Sequence, residues 1–101
     1  MKYRVLFSEE AQTDLLDLYD YISAHDGEDR ALTLIERLED WCLDLRTYPQ
    51  RGTRRSDIRP GLRVIGFEKR VTIAFDIQSD QVTILRILYA GRDFTRELSR
   101  E

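Results

Sequence analysis

The sequence has little of the chemistry that stabilises secreted proteins or builds metal and nucleophile sites. Its 101 residues include one cysteine, Cys42, so no internal disulfide can form, and one histidine, His25. Cys42 lies on the apolar stripe of a predicted helix, which favours a buried small side chain over a nucleophile. We expect no metal and no cofactor.

Long apolar runs are also absent. No segment approaches the ~20 apolar residues that a membrane span requires, and residues 1–10 lack the apolar core of a signal peptide. We therefore expect a cytoplasmic protein that does not contact a membrane. The length predicts a single domain over residues 1–101.

Charge is abundant, and it is divided between the two halves of the chain. Residues 1–50 carry 5 basic and 12 acidic side chains, whereas residues 51–101 carry 11 basic and 7 acidic ones. Such a split indicates a charged partner that docks on one face. An acidic helix pair beside a basic loop, with no functional meaning, explains the split equally well.

The first half predicts a strand followed by a helical hairpin. Residues 2–7 alternate as a short strand, and Ser8 is a suitable N-cap for a helix over about 9–24. Gly27 can adopt the positive φ that ends a helix, and a second amphipathic helix is predicted over about 28–48. The outer face of the first helix is predicted to carry Asp14, Asp17 and Asp20.

The second half predicts a basic loop and three strands. Residues 49–61 contain prolines, glycines and arginines and a single apolar residue, which indicates a long exposed loop. Strands are predicted over 62–67, 70–77 and 81–90, with breaks short enough for hairpins. The predicted fold is α+β: a strand, an antiparallel helical hairpin on one face of a sheet, and a three-stranded antiparallel meander. The other sheet face is predicted to be uncovered.

Two motifs in the second half, with this element order, are typical of one family. They are Arg59-Pro-Gly-Leu-Arg63 and the last strand, Val82 to Tyr89, which runs into Ala90-Gly-Arg-Asp93. Over nearly the whole chain the sequence resembles the ParE branch of the RelE/ParE toxin superfamily, from bacterial toxin–antitoxin operons.

The resemblance implies a partner and two alternative activities. RelE-like members cut messenger RNA on the ribosome with basic side chains on the sheet, whereas ParE-like members are described as poisoning DNA gyrase. In both branches an antitoxin neutralises the toxin through a disordered segment that folds on binding. A ParD-like antitoxin in a hetero-oligomeric complex is therefore expected.

The residues favour the gyrase-binding branch. In-line RNA cleavage requires a base, an acid and a cation near the phosphorane, but the predicted central strand, 71–75, carries no cation. Asp93 stands where the nucleases have a basic residue, and Leu98 or Ser99 where a C-terminal tyrosine is found in some members. A net charge of −3 is also a poor match for RNA binding. We expect a non-enzymatic toxin without direct nucleic-acid contact.

Seven residues are candidates for partner contact, and each has a structural alternative. Arg59 and Arg63 flank a Pro-Gly corner and either contact the partner or pair with helix carboxylates such as Asp40 or Asp44. The remaining candidates are Arg86, Tyr89, Arg92, Phe94 and Leu98.

Arg86 is predicted to lie on the same side of the last strand as Val82, Ile84 and Leu88. On that side it meets an acidic and apolar antitoxin segment or pairs with an internal carboxylate such as Asp76.

Two other functions remain open. One is a ribosome-dependent endoribonuclease in which Arg63, Arg86 and Arg92 hold phosphate. The other is a degenerate, non-toxic relative that only binds its antitoxin.

Overall fold

The computed structural model describes residues 2–68 and 70–89, and begins with a strand that leads into a helical hairpin. Strand β1 (Arg4–Phe7) precedes helix α1 (Glu9–Asp26), whose N-cap Ser8 accepts a hydrogen bond from the Ala11 amide at 3.0 Å. Gly27, with a φ of 98°, ends α1 as predicted.

Helix α2 (Glu28–Leu43) follows directly and continues as one 3₁₀ turn (Asp44–Arg46). The predicted end of α2 at residue 48 was therefore about five residues too late. Neither helix, nor any other within the described ranges, is long and apolar enough to cross a membrane.

The described residues form a five-stranded sheet with the order β1-β5-β4-β3-β2. Its remaining strands are β2 (Thr53–Arg54), β3 (Leu62–Phe67), β4 (Val71–Gln78) and β5 (Gln81–Tyr89). The predicted antiparallel meander of β3, β4 and β5 is confirmed, while β1 pairs parallel with β5. The basic segment over 49–61 is more ordered than predicted, because it contains β2 paired antiparallel with β3.

The hydrophobic core lies between the helical hairpin and one sheet face. Helix residues such as Leu38 and Cys42 are fully buried against strand residues such as Phe75 and Ile84. Burial, reinforced by the nearby Glu39 charge, raises the pKa of the Cys42 thiol to about 12, so the thiol stays protonated at neutral pH.

The opposite sheet face is not open along its whole length, contrary to prediction. Leu62 and Ala74 are fully buried there, in a second cluster that includes the loop residue Ile58 and the strand residues Val64 and Leu85. The segment that joins β2 to β3 thus covers part of this face, which restricts the space left for a partner.

Candidate functional site

Five arginines define one end of the sheet, which we call the arginine edge: Arg51, Arg54, Arg55, Arg59 and Arg63. Arg54 lies on β2 and Arg63 on β3, whereas the other three lie in the loop segments that flank β2. Arg54 and Arg63 are directly opposite each other across the β2–β3 ladder. Side chains opposite each other in an antiparallel pair share a face, so two like charges are held side by side.

Aromatic rings and a close backbone approach fix the loop at the arginine edge. The guanidinium of Arg51 lies 5.7 Å from the ring centroid of Trp41 and 5.9 Å from that of Tyr48. Arg63 Nη1 donates a hydrogen bond to the Arg51 carbonyl at 3.2 Å. Gly52 has a φ of 77°, and a Cβ there would lie 2.4 Å from the Val64 carbonyl oxygen. Only glycine fits this contact.

Two arginines of this edge interact with carboxylates. Arg55 forms a bidentate ion pair with Asp57 at 2.9 and 3.0 Å, and this hydrogen bonding lowers the pKa of Asp57. Arg59 lies close enough to β4 for its charge to act on Asp76. Burial raises the pKa of Asp76, and the Arg59 charge opposes that rise without cancelling it. The suggested pairing of Arg63 with Asp40 or Asp44 is not found among the described residues, where Arg63 bonds to the Arg51 carbonyl.

Arg86 is held by a carboxylate of α1. Its Nε and Nη2 donate to Asp14 at 2.8 and 3.0 Å, and the Ile87 amide donates to the same carboxylate at 2.8 Å. Asp14 is 5% exposed and the Arg86 side chain 18%. A structural pair was one of the two alternatives for Arg86, but the partner is Asp14 rather than Asp76.

A β-bulge explains why the predicted orientation of Arg86 was wrong. The β4–β5 register shifts between Ala74 and Phe75, so Phe75 opposes Ile84 while Ala74 opposes Arg86. Ala74 belongs to the cluster on the far face, and Ile84 belongs to the main core. Arg86 therefore lies on the opposite face from Ile84, because an extra residue inverts the alternation.

Asp14 is also misplaced by the prediction, which assigned it to the solvent face of α1. It follows Ala11 by three positions and precedes Leu18 by four, and both of these residues are buried. That spacing puts Asp14 on the buried stripe of the helix. A carboxylate on such a stripe was the signal that an internal cation had to lie opposite it.

Tyr89 ends β5 in an aromatic cluster. Its ring lies 4.9 Å from that of Tyr21, which in turn lies 4.2 Å from His25, and its hydroxyl accepts a hydrogen bond from Arg70 at 3.4 Å. His25 Nδ1 is 2.7 Å from the Tyr21 carbonyl oxygen. Because a carbonyl oxygen only accepts hydrogen bonds, Nδ1 is the protonated nitrogen and the donor in this bond. The structure thus places Tyr89 in a cluster separate from the arginine edge. The other three candidates, Arg92, Phe94 and Leu98, lie outside the described residues.

The central strand of the described sheet carries no charged side chain over residues 71–75. Strand β4 presents Val71, Thr72, Ile73, Ala74 and Phe75, all uncharged, in the middle of the sheet. Within 2–68 and 70–89, no group of three or more His, Cys, Asp or Glu side chains could hold a metal ion.

Comparisons with known proteins agree with this architecture. Residues 5–94 match the family of ParE toxins of the type II toxin–antitoxin system parDE. The chain is 28% identical over 98 residues to Toxin ParE3 of Caulobacter vibrioides, with 97% of each chain covered.

Solved structures share the fold. A chain of the chromosomal ParDE system from P. aeruginosa superposes with a TM-score of 0.77 at 22% identity, covering 89% of this chain and 98% of that one. A chain of the RelBE2 toxin–antitoxin complex from Mycobacterium tuberculosis gives 0.63 at 19% identity, covering 88% and 99%.

Proposed function

The chain belongs to the ParE toxin family of type II toxin–antitoxin systems, and on that premise we propose that it acts by binding DNA gyrase without catalysing a reaction of its own. We propose further that a ParD-like antitoxin neutralises it. A gyrase target places the toxin in the cytoplasm. Toxicity then arises because the bound toxin traps the complex of gyrase with cleaved DNA.

The Asp14–Arg86 pair carries this proposal. A nuclease of this fold needs a cation on its sheet that is free to stabilise a phosphorane. Here the guanidinium of the last strand is bound at two of its nitrogens by a carboxylate that is almost fully buried. Releasing Arg86 to a phosphate would leave Asp14 charged and buried, at a cost of several kcal/mol.

Two other described residues that a nuclease would use, Arg63 and His25, are not placed beside an acid–base partner on the sheet. Arg63, on β3, donates to the Arg51 carbonyl in the loop before β2, and His25 donates to the Tyr21 carbonyl at the C-terminal end of α1. Neither contact places a proton donor beside a cation on the sheet. This arrangement supports a toxin that acts by occupying a surface of its target.

A gyrase assay with purified protein tests the proposal. We expect supercoiling to fall as the toxin approaches the gyrase concentration, with linear DNA accumulating after detergent and protease treatment. The same preparation after heat denaturation is the control. Unaffected supercoiling with no cleaved DNA, from protein that is folded by circular dichroism, contradicts a gyrase target. Induction in cells without growth arrest would instead indicate a non-toxic relative.

The outer groove of the helical hairpin is the best-supported apolar contact for an antitoxin. Leu15, Leu16, Tyr19 and Ile35 line a groove of about 350 Å³ between α1 and α2, where Leu16 is 68% exposed. On the far sheet face, by contrast, Leu62 and Ala74 are already fully buried. Antitoxin residues of an amphipathic segment would gain about 25 cal/mol per Å² of apolar surface buried in this groove.

Co-expression with the protein encoded by the adjacent small open reading frame tests the antitoxin proposal. A stable complex that restores growth is expected, and Leu16→Asp should weaken it strongly. Leu43→Asp, at an exposed leucine outside this groove, is the matched control. Equal complex formation by both variants would move the antitoxin to another surface, and no complex at all would remove the antitoxin proposal.

A further inference from the structure

Three arginines of the arginine edge have no carboxylate partner among the described residues. Arg51 contacts aromatic rings, Arg63 donates to a carbonyl, and Arg54 is exposed. Within the described ranges, no carboxylate forms an ion pair with any of these three. Arg54 and Arg63 face each other across the ladder, where like charges are destabilising. A surface maintained against such repulsion is suited to an anionic ligand.

The backbone of β2 offers a second feature at the same place. The Arg55 amide donates to the Leu62 carbonyl at 2.8 Å, while the Leu62 amide donates to the Arg59 carbonyl, so one of the two bonds of a hydrogen-bonded ladder pair forms beside Arg54. Bonded and non-bonded pairs alternate, so the N–H and C=O of Arg54 point away from β3. In the described sheet, β2 is the last strand on that side. The backbone groups of Arg54 are therefore available to another chain.

This backbone edge is held in place before any partner arrives. The close contact of Gly52 with Val64 fixes β2 against β3, and the rings of Trp41 and Tyr48 fix Arg51. A prearranged edge loses little conformational entropy on binding, which raises affinity for a given number of contacts.

We propose that the arginine edge binds an extended acidic peptide, which adds a strand beside β2 and places carboxylates against Arg51, Arg54 and Arg63. Main-chain hydrogen bonds supply affinity and the arginines select acidic side chains. A nucleic-acid phosphate can accept from the outward N–H of Arg54 but has no donor for its C=O, whereas an added peptide strand pairs with both groups. The peptide is a segment of the antitoxin, and that identification alone rests on the proposed function.

Fluorescence anisotropy with a labelled synthetic peptide of alternating glutamate and valine tests the surface directly. We expect saturable binding that weakens as salt rises, and a loss of about fivefold or more for Arg54→Glu. Arg30→Glu is the control, because Arg30 is an exposed arginine of α2 that forms no ion pair within the described ranges. Equal losses in the two variants, or no binding at about 1 mM peptide in low salt, overturn the proposal.

Two further probes separate the backbone from the charge. The same peptide N-methylated at alternate residues keeps its carboxylates but loses main-chain donors, so it should bind several-fold more weakly in one of the two methylation phases. A single-stranded oligonucleotide of equal charge should bind more weakly than the peptide. Tighter oligonucleotide binding that depends on Arg54 would assign the edge to nucleic acid, and equal binding of all peptides would reduce it to a non-specific charged patch.

The peptide-binding experiment and the gyrase assay can fail independently of each other. Peptide binding is measured without gyrase, so an inactive gyrase assay leaves it unaffected. Conversely, a toxin that traps gyrase but ignores acidic peptides retains its proposed function and loses this binding surface.

Discussion

Arginine has opposite roles in the two regions of the molecule. At the junction of α1 and β5, Arg86 is largely buried and its charge is matched by Asp14. At the arginine edge, aromatic and backbone contacts hold the segment that carries Arg51, Arg54 and Arg63. No carboxylate of the described ranges forms an ion pair with these three arginines. The first region uses arginine to join a helix to a sheet, whereas the second presents it.

An arginine on the sheet of a toxin fold is therefore not by itself evidence for phosphate chemistry. What decides its role is whether a carboxylate lies within hydrogen-bonding distance and whether water reaches the guanidinium. On both criteria Arg86 is structural, while Arg54 is available for binding. The comparison predicts that substitutions at the junction affect stability and those at the edge affect binding.

The largest effect is expected from Asp14→Ala. It leaves Arg86 charged and largely buried and removes the acceptor of the Ile87 amide, so the free energy of unfolding should fall by about 3 kcal/mol. Urea denaturation followed by circular dichroism measures it. The double variant Asp14→Leu with Arg86→Met should recover a large part of the loss, and a loss below about 1 kcal/mol for Asp14→Ala would end the distinction between the regions.

A smaller effect is expected from Gly52→Ala. The new Cβ would meet the Val64 carbonyl in a backbone of positive φ, and we expect a loss of about 2 kcal/mol. Gly61→Ala is the matched control, since its φ of 78° is nearly the same but nothing lies within 4 Å of its Cβ position. The control should lose about 1 kcal/mol. Equal losses would show that β2 is not held by close contact.

Arg51→Ala should cost about 0.5–1 kcal/mol, because it removes a cation that lies near two rings at a partly exposed site. Hydrogen exchange of the Thr53 and Arg54 amides should accelerate if the rings hold the loop. Arg51→Met keeps the apolar stem and is the control for packing. Unchanged hydrogen exchange in Arg51→Ala would show that the aromatic rings do not hold the loop in place.

The pH dependence of Asp76 gives an effect below about 1 kcal/mol, since this group is only partly buried. The pKa of Asp76 is raised in the folded state, so as pH rises the unfolded chain loses the Asp76 proton before the folded chain does. The contribution of Asp76 to the free energy of unfolding therefore falls as pH rises through the folded pKa. Asp76→Asn should therefore be slightly more stable than the parent at neutral pH. That advantage should vanish below the ordinary aspartate pKa, and a constant difference at all pH values would contradict the burial effect.

The smallest stability effect is expected from Arg54→Glu. The side chain is exposed and faces another arginine, so the free energy of unfolding should change by less than about 0.5 kcal/mol, or rise slightly. The same urea titration measures it. A loss above about 1 kcal/mol would make Arg54 structural, like Arg86.

The hydrophobic pattern was sufficient to predict the helical hairpin, the meander and the α+β class, because each depends on periodicity within one segment. The parallel pairing of β1 with β5 was not predicted, since a four-residue edge strand carries no register information. Strand β2 was missed because two exposed residues, Thr53 and Arg54, have no apolar alternation.

The candidate site was less predictable than the fold. A single bulge inverted the predicted face of Arg86, and no local signal marks that bulge in the sequence. The burial of Asp14 was readable from its place between Ala11 and Leu18, but the recurrence of aspartates at 14, 17 and 20 suggested a solvated face instead. The contacts of Arg51 join α2 to a loop, and only the tertiary fold brings these segments together.

Mapping RNA 3′ ends after incubation of the purified protein with translating ribosomes tests whether the arginines of this chain bind or support structure and do not cut RNA. We expect the same profile of RNA 3′ ends with and without the protein, at concentrations that inhibit gyrase. New, codon-periodic ends that disappear in Arg86→Met or Arg63→Met would contradict it.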